Sequence, residues 1–250
     1  REFPSTNTAD VTPSSGPTTT TVTKVVDQSS NGFEGTVDGA TQDANGHWDF
    51  DGTDDFISFP ESSSFSFADD FTVESWIYPT SSVVFANIFS TEDFDFKLQF
   101  LAVRIYTGGG SNTTATCNLN EWNHVLFYRR GSTFYVSING VEQTVTPPAF
   151  TGDGSSAAEM GRKIRSSSEH FVGKIAEVRV YPKALTAAEI SQNYNATKSK
   201  YINEAPSTAP RISSDGIVYG SNLLLNYDFG NRATYDNAEN LFKNNNFVNL

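Results

Sequence analysis

The stretch Phe134-Tyr135-Val136-Ser137-Ile138-Asn139-Gly140-Val141-Glu142-Gln143-Thr144-Val145 decides the fold class. Two runs of β-favouring residues meet at Asn-Gly, a pair that tolerates the positive φ angles a two-residue hairpin turn demands. The same texture extends outward on both sides. Trp122–Arg130 reads as a strand, and Phe71–Tyr78 as another that stops at Pro79. Phe94-Asp95-Phe96-Lys97-Leu98-Gln99-Phe100 alternates strictly, which places Phe94, Phe96, Leu98 and Phe100 on one apolar face. Val22–Val26, Trp48–Phe50, Phe56–Phe59, Val103–Tyr106 and Ile175–Tyr181 complete the strand set, with the acidic stretch Asp51–Asp55 read as a hairpin turn. Strands at this spacing, without helices between them, predict an all-β chain folded as a two-sheet antiparallel sandwich.

One helix interrupts the pattern. Thr186-Ala187-Ala188-Glu189 is a capping box, in which the Thr hydroxyl accepts from the third helical amide and the Glu carboxylate reaches back. Ile190 and Tyr194 then share a face, so a short helix is expected over about Ala187–Asn195, packed on the sandwich edge.

Composition narrows the function classes. The 250 residues carry 17 Lys and Arg against 29 Asp and Glu, a net charge of −12. A nucleic-acid partner is therefore not expected, because such a footprint needs a cationic face. Charged residues are only 18%, whereas Ser, Thr and Asn number 28, 26 and 21, a neutral polarity suited to strands and turns. The 20 phenylalanines supply core material. The single cysteine, Cys117, excludes an intrachain disulfide framework. No apolar run reaches the length of a membrane-crossing helix, so membrane insertion is not expected.

Texture also divides the chain. Residues 1–21, rich in Pro and Thr, read as an extended linker, and 22–196 as the sandwich. Residues 197–221, with Pro206 and Pro210, read as a second linker, and 222–250 as a small two-strand repeat in which Asn222–Asn231 is echoed by Asn240–Asn249. Two strand-sized units cannot bury a core alone, so they are expected to dock on the sandwich, on another chain, or on sequence beyond Leu250.

Several stretches together resemble the laminin-G-like branch of the concanavalin-A-like jelly rolls, which includes pentraxin-like modules. They are Asp27–Gly32, Phe50–Ile57, Phe71–Pro79, Trp122–Val125, Tyr135–Gly140, and Gly173–Tyr181 followed by Ala184-Leu185-Thr186. The resemblance implies a jelly-roll sandwich with one curved face and rim loops, often used to bind glycans or proteins and frequently with calcium. It also implies that the loop Asp27–Asn31 meets an acidic residue near the late strand, the position held here by Glu177, so Asp27, Asn31 and Glu177 are the expected calcium ligands. The segment Glu239–Phe247 resembles the first strand of a galactose-binding-like module, which implies that a further β module starts there.

Catalysis is not expected. Glycoside hydrolysis needs two carboxylates at a fixed separation on one face. The nearest arrangement, Glu92-Asp93-Phe94-Asp95-Phe96-Lys97, puts a lysine where a third acid would stand. No Gly-x-Ser-x-Gly elbow is present, and His47, His124 and His170 lie far apart, so neither a serine triad nor zinc is expected. Trp48, Trp76 and Trp122 could stack on sugar rings but are expected to fill the core, and His124 to pack or bond backbone. The rim loops 108–116 and 151–170 carry the expected ligand-binding residues Asn112, Asp153, Arg162 and Arg165.

The function expected is a non-catalytic recognition or decoration module of a virion structural protein, such as a bacteriophage capsid decoration, fibre or tail protein. Its partners would be host-surface glycan or other virion proteins, and its assembly a homo-oligomer, a trimer above all. The alternatives are a secreted glycan-degrading enzyme or a cell-surface lectin-like adhesin on the same fold.

Overall fold

The central hairpin forms as its sequence dictates: Phe134 pairs with Val145 and Ile138 with Val141, while Asn139 and Gly140 turn the chain at φ +50° and +84°. The computed structural model describes residues 22–29, 31–43, 45–65, 67–107, 110–145, 156–202 and 225–228. In chain order its early strands are β1 (Lys24–Val25), β2 (Gly35–Asp38), β3 (Thr41–Gln42), β4 (Trp48–Asp51), β5 (Phe56–Ser62), β6 (Phe71–Pro79), β7 (Ala86–Thr91) and β8 (Asp95–Gln99). There follow β9 (Ala102–Tyr106), β10 (Gly110–Thr116), β11 (Asn123–Arg130), β12 (Thr133–Ile138), β13 (Val141–Val145), β14 (Ser156–Met160), β15 (Val172–Tyr181), helix α1 (Ala187–Tyr201) and β16 (Leu225–Asp228). A first sheet runs β1-β2-β5-β14-β7-β8-β9-β10 and a second β13-β12-β11-β6-β15-β4-β3, both antiparallel. The architecture is a two-sheet β-sandwich with one C-terminal helix, consistent with a jelly roll.

Strand alternation explains the layers. On β6, Phe71, Val73 and Ile77 enter the core between the sheets, whereas Trp76 belongs to a separate cluster with Ala176 and Tyr201 under the helix. β6 is thus buried on both faces, and its polar residues Thr72, Glu74 and Ser75 are buried along with its apolar ones. The inter-sheet core is mainly aromatic: the Phe94 ring lies 5.6 Å from Phe71 and 5.3 Å from Phe127, and 5.0 Å from Phe67. Each fully buried Phe stabilises the fold by about 1.5–3 kcal/mol.

Three expectations are corrected here. Phe94, Phe96 and Leu98 are buried as expected, but Phe100 is 56% exposed, because β8 ends at Gln99 and Phe100 and Leu101 form the turn to β9 at φ +48° and +69°. The helix reaches Tyr201 rather than Asn195, so residues 197–201, read as the start of a linker, are its last turns. It also covers the outer face of the second sheet rather than its edge, since Trp76 donates to Thr197 Oγ1 at 2.8 Å and Asn193 donates to Glu74 at 2.8 Å. Its inward face is Ile190, Asn193, Thr197 and Tyr201, a largely polar stripe that hydrophobic periodicity cannot reveal.

Of the C-terminal repeat, only residues 225–228 of the first copy are described, and they pair with the sandwich. Leu225–Asp228 pair with Glu177–Val180 of β15, filling the half of that edge that β4, paired to Val172–Ile175, leaves open. The second copy, residues 240–249, and the segment 1–21 lie outside the described residues.

Candidate functional site

At one end of the second sheet the helix, the end of β6 and the loop 118–122 enclose a cleft of about 450 Å³. Its walls are aromatic. Tyr78 lies on β6, Trp122 directly before β11, and Tyr194 and Tyr201 on α1, with Ile202 at the helix end. Its polar groups are Asn118, Asn120, Asn139 and Glu121.

The loop is held by Asn123, which is fully buried. Asn123 Oδ1 accepts from the Asn118 amide at 2.9 Å, and its Nδ2 donates to the carbonyls of Asn118 and Glu121 at 2.9 and 2.8 Å. Asn120, left-handed at φ +56°, donates its amide to Pro79 O at 2.8 Å and so ties the loop to β6. Behind Tyr78, β15 approaches so closely that a Cβ on Gly173, at φ +132°, would stand 2.1 Å from Tyr78 O. The wall therefore depends on a glycine.

Trp122 packs edge-on against Tyr78 at 5.4 Å and contacts Tyr201 at 4.9 Å, while His47 supports it from behind at 4.8 Å. Trp76 sits beneath, stacked on Tyr194 at 5.8 Å and tilted on Tyr201 at 4.6 Å. Trp48 and Trp76 are buried as expected, but Trp122 is only half-buried and lines the cleft, a correction to its core placement. Among the described residues, Tyr78 Oη, Trp122 Nε1 and the Asn120 side chain make no hydrogen bond. They are donors and acceptors presented beside aromatic faces, the equipment for a polyhydroxylated ligand.

Buried ion pairs fasten the helix that carries two of the walls. Glu177 is fully buried and accepts from Tyr201 Oη at 2.7 Å, from Lys200 Nζ at 3.2 Å and from Arg179. Burial opposes its charge, but Arg179 and Lys200 outweigh burial and hold the carboxyl down at about 2. Glu74 is likewise held below the usual range: burial opposes the charge, and Arg179 and His124 overcome it. His124 packs against the Trp76 ring at 4.9 Å, one of the two roles expected of it, and its Nε2 lies 2.6 Å from Glu74 Oε1, a carboxylate in place of the backbone partner that was the other. Asp43, which faces His47 at 3.3 Å and Lys174 at 2.7 Å, is held far below the usual range by these two against its burial.

The expected site residues lie elsewhere and do not converge. Asp27 Oδ2 accepts from Ser29 Oγ at 2.6 Å and from the Phe33 amide at 3.1 Å, and the Asn31 amide donates to Ser29 Oγ at 3.1 Å, so both belong to a turn beside the first sheet. Glu177 faces the helix on the far side of the second sheet, bonded to Arg179, Lys200 and Tyr201. Asp27, Asn31 and Glu177 therefore do not fit one calcium ion, which needs six to eight oxygens at bonding distance. Asp51, Asp54 and Asp55 do cluster, with ligand atoms within 4.8 Å of one another. Asp55 and Asp51 fasten that turn by accepting from the amides of Asp51 and Thr53.

Arg162 is bidentate on Glu159 at 2.6 and 2.8 Å, with its guanidinium over the Phe56 ring. Arg165 pairs with Asp95 at 3.0 Å and donates to the carbonyls of Thr91 and Glu92. Both arginines thus serve the first sheet, away from the cleft. Asn112 lies on β10, which pairs with β9, rather than on the rim loop expected over 108–116, a correction to that reading, and Asp153 falls outside the described residues. Asp95, the acid considered for glycoside hydrolysis, is fully buried among Lys97 at 3.6 Å, Lys163 at 3.7 Å and Arg165. The signal that was missed is Asn118-Leu119-Asn120-Glu121-Trp122-Asn123, an amide-rich approach to an aromatic at a strand start.

Comparison with known proteins agrees with this architecture. A family profile described as "Concanavalin A-like lectin/glucanases superfamily" matches residues 51–191, more than half the chain. No curated protein matches. Among solved structures, Trypanosoma rangeli sialidase in complex with sialic acid superposes with a TM-score of 0.53 at 15% identity, over 70% of this chain and 33% of the sialidase. Domain 4 of AbnA, an extracellular arabinanase from Geobacillus stearothermophilus in complex with arabinotriose, gives 0.50 at 19% identity, covering 68% of this chain and 97% of that domain. The binding domain of botulinum neurotoxin DC, in complex with rat synaptotagmin II, gives 0.52 at 11%, covering 70% and 51%. The chain thus spans about a third of the sialidase's length, and at these identities the likeness is one of fold. With its profile match and its two antiparallel sheets in agreement, the chain belongs to the concanavalin A-like lectin/glucanase superfamily.

Proposed function

We propose that this protein is a non-catalytic glycan-binding module. The observation that carries the reading is the cleft of about 450 Å³, in which Tyr78, Trp122, Tyr194 and Tyr201 present rings beside three asparagines and one carboxylate. Sugar rings offer an apolar face and a fringe of hydroxyls, and such a lining matches both. The arabinanase domain of the same fold, seen with arabinotriose, is in keeping with this.

Two features support the absence of catalysis. Glu121 is the single carboxylate of the cleft lining among the described residues, whereas hydrolysis uses a pair about 5–9.5 Å apart. Asp95 is enclosed by cations rather than open to a groove. The neutral-polar segments 1–21 and 203–221, read from sequence as linkers, support display of the module on a virion or another extracellular assembly.

The test is a glycan array probed with the full chain, with reducing-end release measured on every glycan retained. Binding that Trp122→Ala removes, without release of sugar, is the expected result. A silent array overturns glycan binding, and sugar release overturns its non-catalytic character.

A further inference from the structure

Resting on the glycan reading, we infer that the cleft selects uncharged sugars and rejects acidic ones, with Glu121 setting that specificity. A uronate or sialate carboxylate requires a cationic partner to offset its desolvation. Among the described residues no Lys, Arg or His lines the cleft, and its one acidic side chain is Glu121. Of the cations on neighbouring elements, Lys200 is paired with Glu177 at 3.2 Å and Lys174 with Asp43 at 2.7 Å, while Lys198 lies over the Tyr194 ring at 5.7 Å.

Glu121 is also positioned to act. Asn118 Nδ2 donates to its Oε2 at 2.8 Å, which orients the carboxylate, a group that can only accept. Sugar hydroxyls donate to such a group, whereas a second carboxylate cannot. Among the described residues, the remaining unpartnered groups, Trp122 Nε1, Tyr78 Oη and the Asn120 side-chain carboxamide, are neutral and suit hydroxyls. The net charge of −12 adds a long-range bias against anions. Two carboxylates roughly 8 Å apart at a partly screened surface repel enough to cost about tenfold in affinity.

The experiment uses an array carrying neutral oligosaccharides and their uronate and sialylated counterparts, probed with wild type, Glu121→Gln and Trp122→Ala. Titration then quantifies each neutral hit against its acidic counterpart. Trp122→Phe serves where the alanine variant is not folded by circular dichroism. Wild type is expected on neutral glycans, with about tenfold or weaker binding to acidic counterparts. Glu121→Gln is expected to move the two in opposite directions, weakening the neutral ligand and strengthening the acidic one. Trp122-dependent binding of acidic glycans as tight as neutral ones overturns the inference and leaves glycan binding standing, as does a neutral-to-acidic ratio that Glu121→Gln leaves unchanged. No binding to any glycan overturns the underlying reading instead.

Discussion

Replacing Glu177 by Gln tests whether a buried charge cluster builds the cleft. In the folded protein Glu177 and Glu74 face Arg179 and Lys200, and all but Lys200 are fully buried. Gln keeps the shape but removes one negative charge beside Arg179, whose other facing carboxylate, Glu74, is already shared with His124 and Asn193. Breaking one side of such a buried pair costs about 3–5 kcal/mol. An independent route agrees: a carboxyl at about 2 instead of the ordinary 4.5 corresponds to about 3 kcal/mol of folded-state preference for the charge. With a urea dependence of about 2 kcal/mol per molar, the unfolding midpoint of Glu177→Gln drops by about 1.5 M at pH 7. Because the folded value is depressed, the stabilisation is fully present above 4.5 and fades as pH falls from there through about 2. Wild-type and variant urea curves followed by tryptophan fluorescence therefore converge as pH approaches 2. Tyr194 and Tyr201 ride on the same helix, so glycan binding weakens together with stability. A midpoint within about 0.3 M of wild type at pH 7, or a gap that persists unchanged down to pH 2, refutes the argument.

Three further outcomes are expected. Gly173→Ala drives a Cβ into Tyr78 O and the Thr80 amide at 2.1 and 2.9 Å, both backbone atoms, so thermal unfolding should show a loss of about 2 kcal/mol or more together with weakened glycan binding. The Cys117 thiol is pushed up to about 12 by burial, so a thiol reagent at pH 8 should react only at the rate of unfolding, and rapid labelling of native protein would contradict its placement. Phe100→Asn puts a left-handed-tolerant residue at φ +48° where Phe is 56% exposed, and should raise stability by about 0.5–1 kcal/mol in urea titration.

The sequence was most legible where a structural requirement is local. Asn139-Gly140 specified its turn because the positive φ angles it needs favour those residues, and the capping box of α1 formed because its partners are three residues apart. The alternation around Phe94, Phe96 and Leu98 named the core face, because side chains on a strand point to opposite faces in turn. Where local rules are not binding they misled: Phe100 and Leu101 take the same left-handed turn with no Asn-Gly signal, because pairing on both sides imposes it.

The candidate site was hidden for a related reason. Tyr78, Trp122, Tyr194 and Tyr201 come from three separate elements and converge only once the helix lies across the second sheet. That docking runs through Asn193, Thr197 and Tyr201, whose polar atoms look like a solvated face until Glu74, Trp76 and Glu177 are placed opposite them. The same folding separated Asp27 from Glu177, two acids that the family resemblance had joined. Periodicity and turn chemistry, which act between near neighbours, therefore determined the sandwich. The cleft and its charge, which depend on polar groups satisfied across long sequence separations, were decided by the tertiary structure alone.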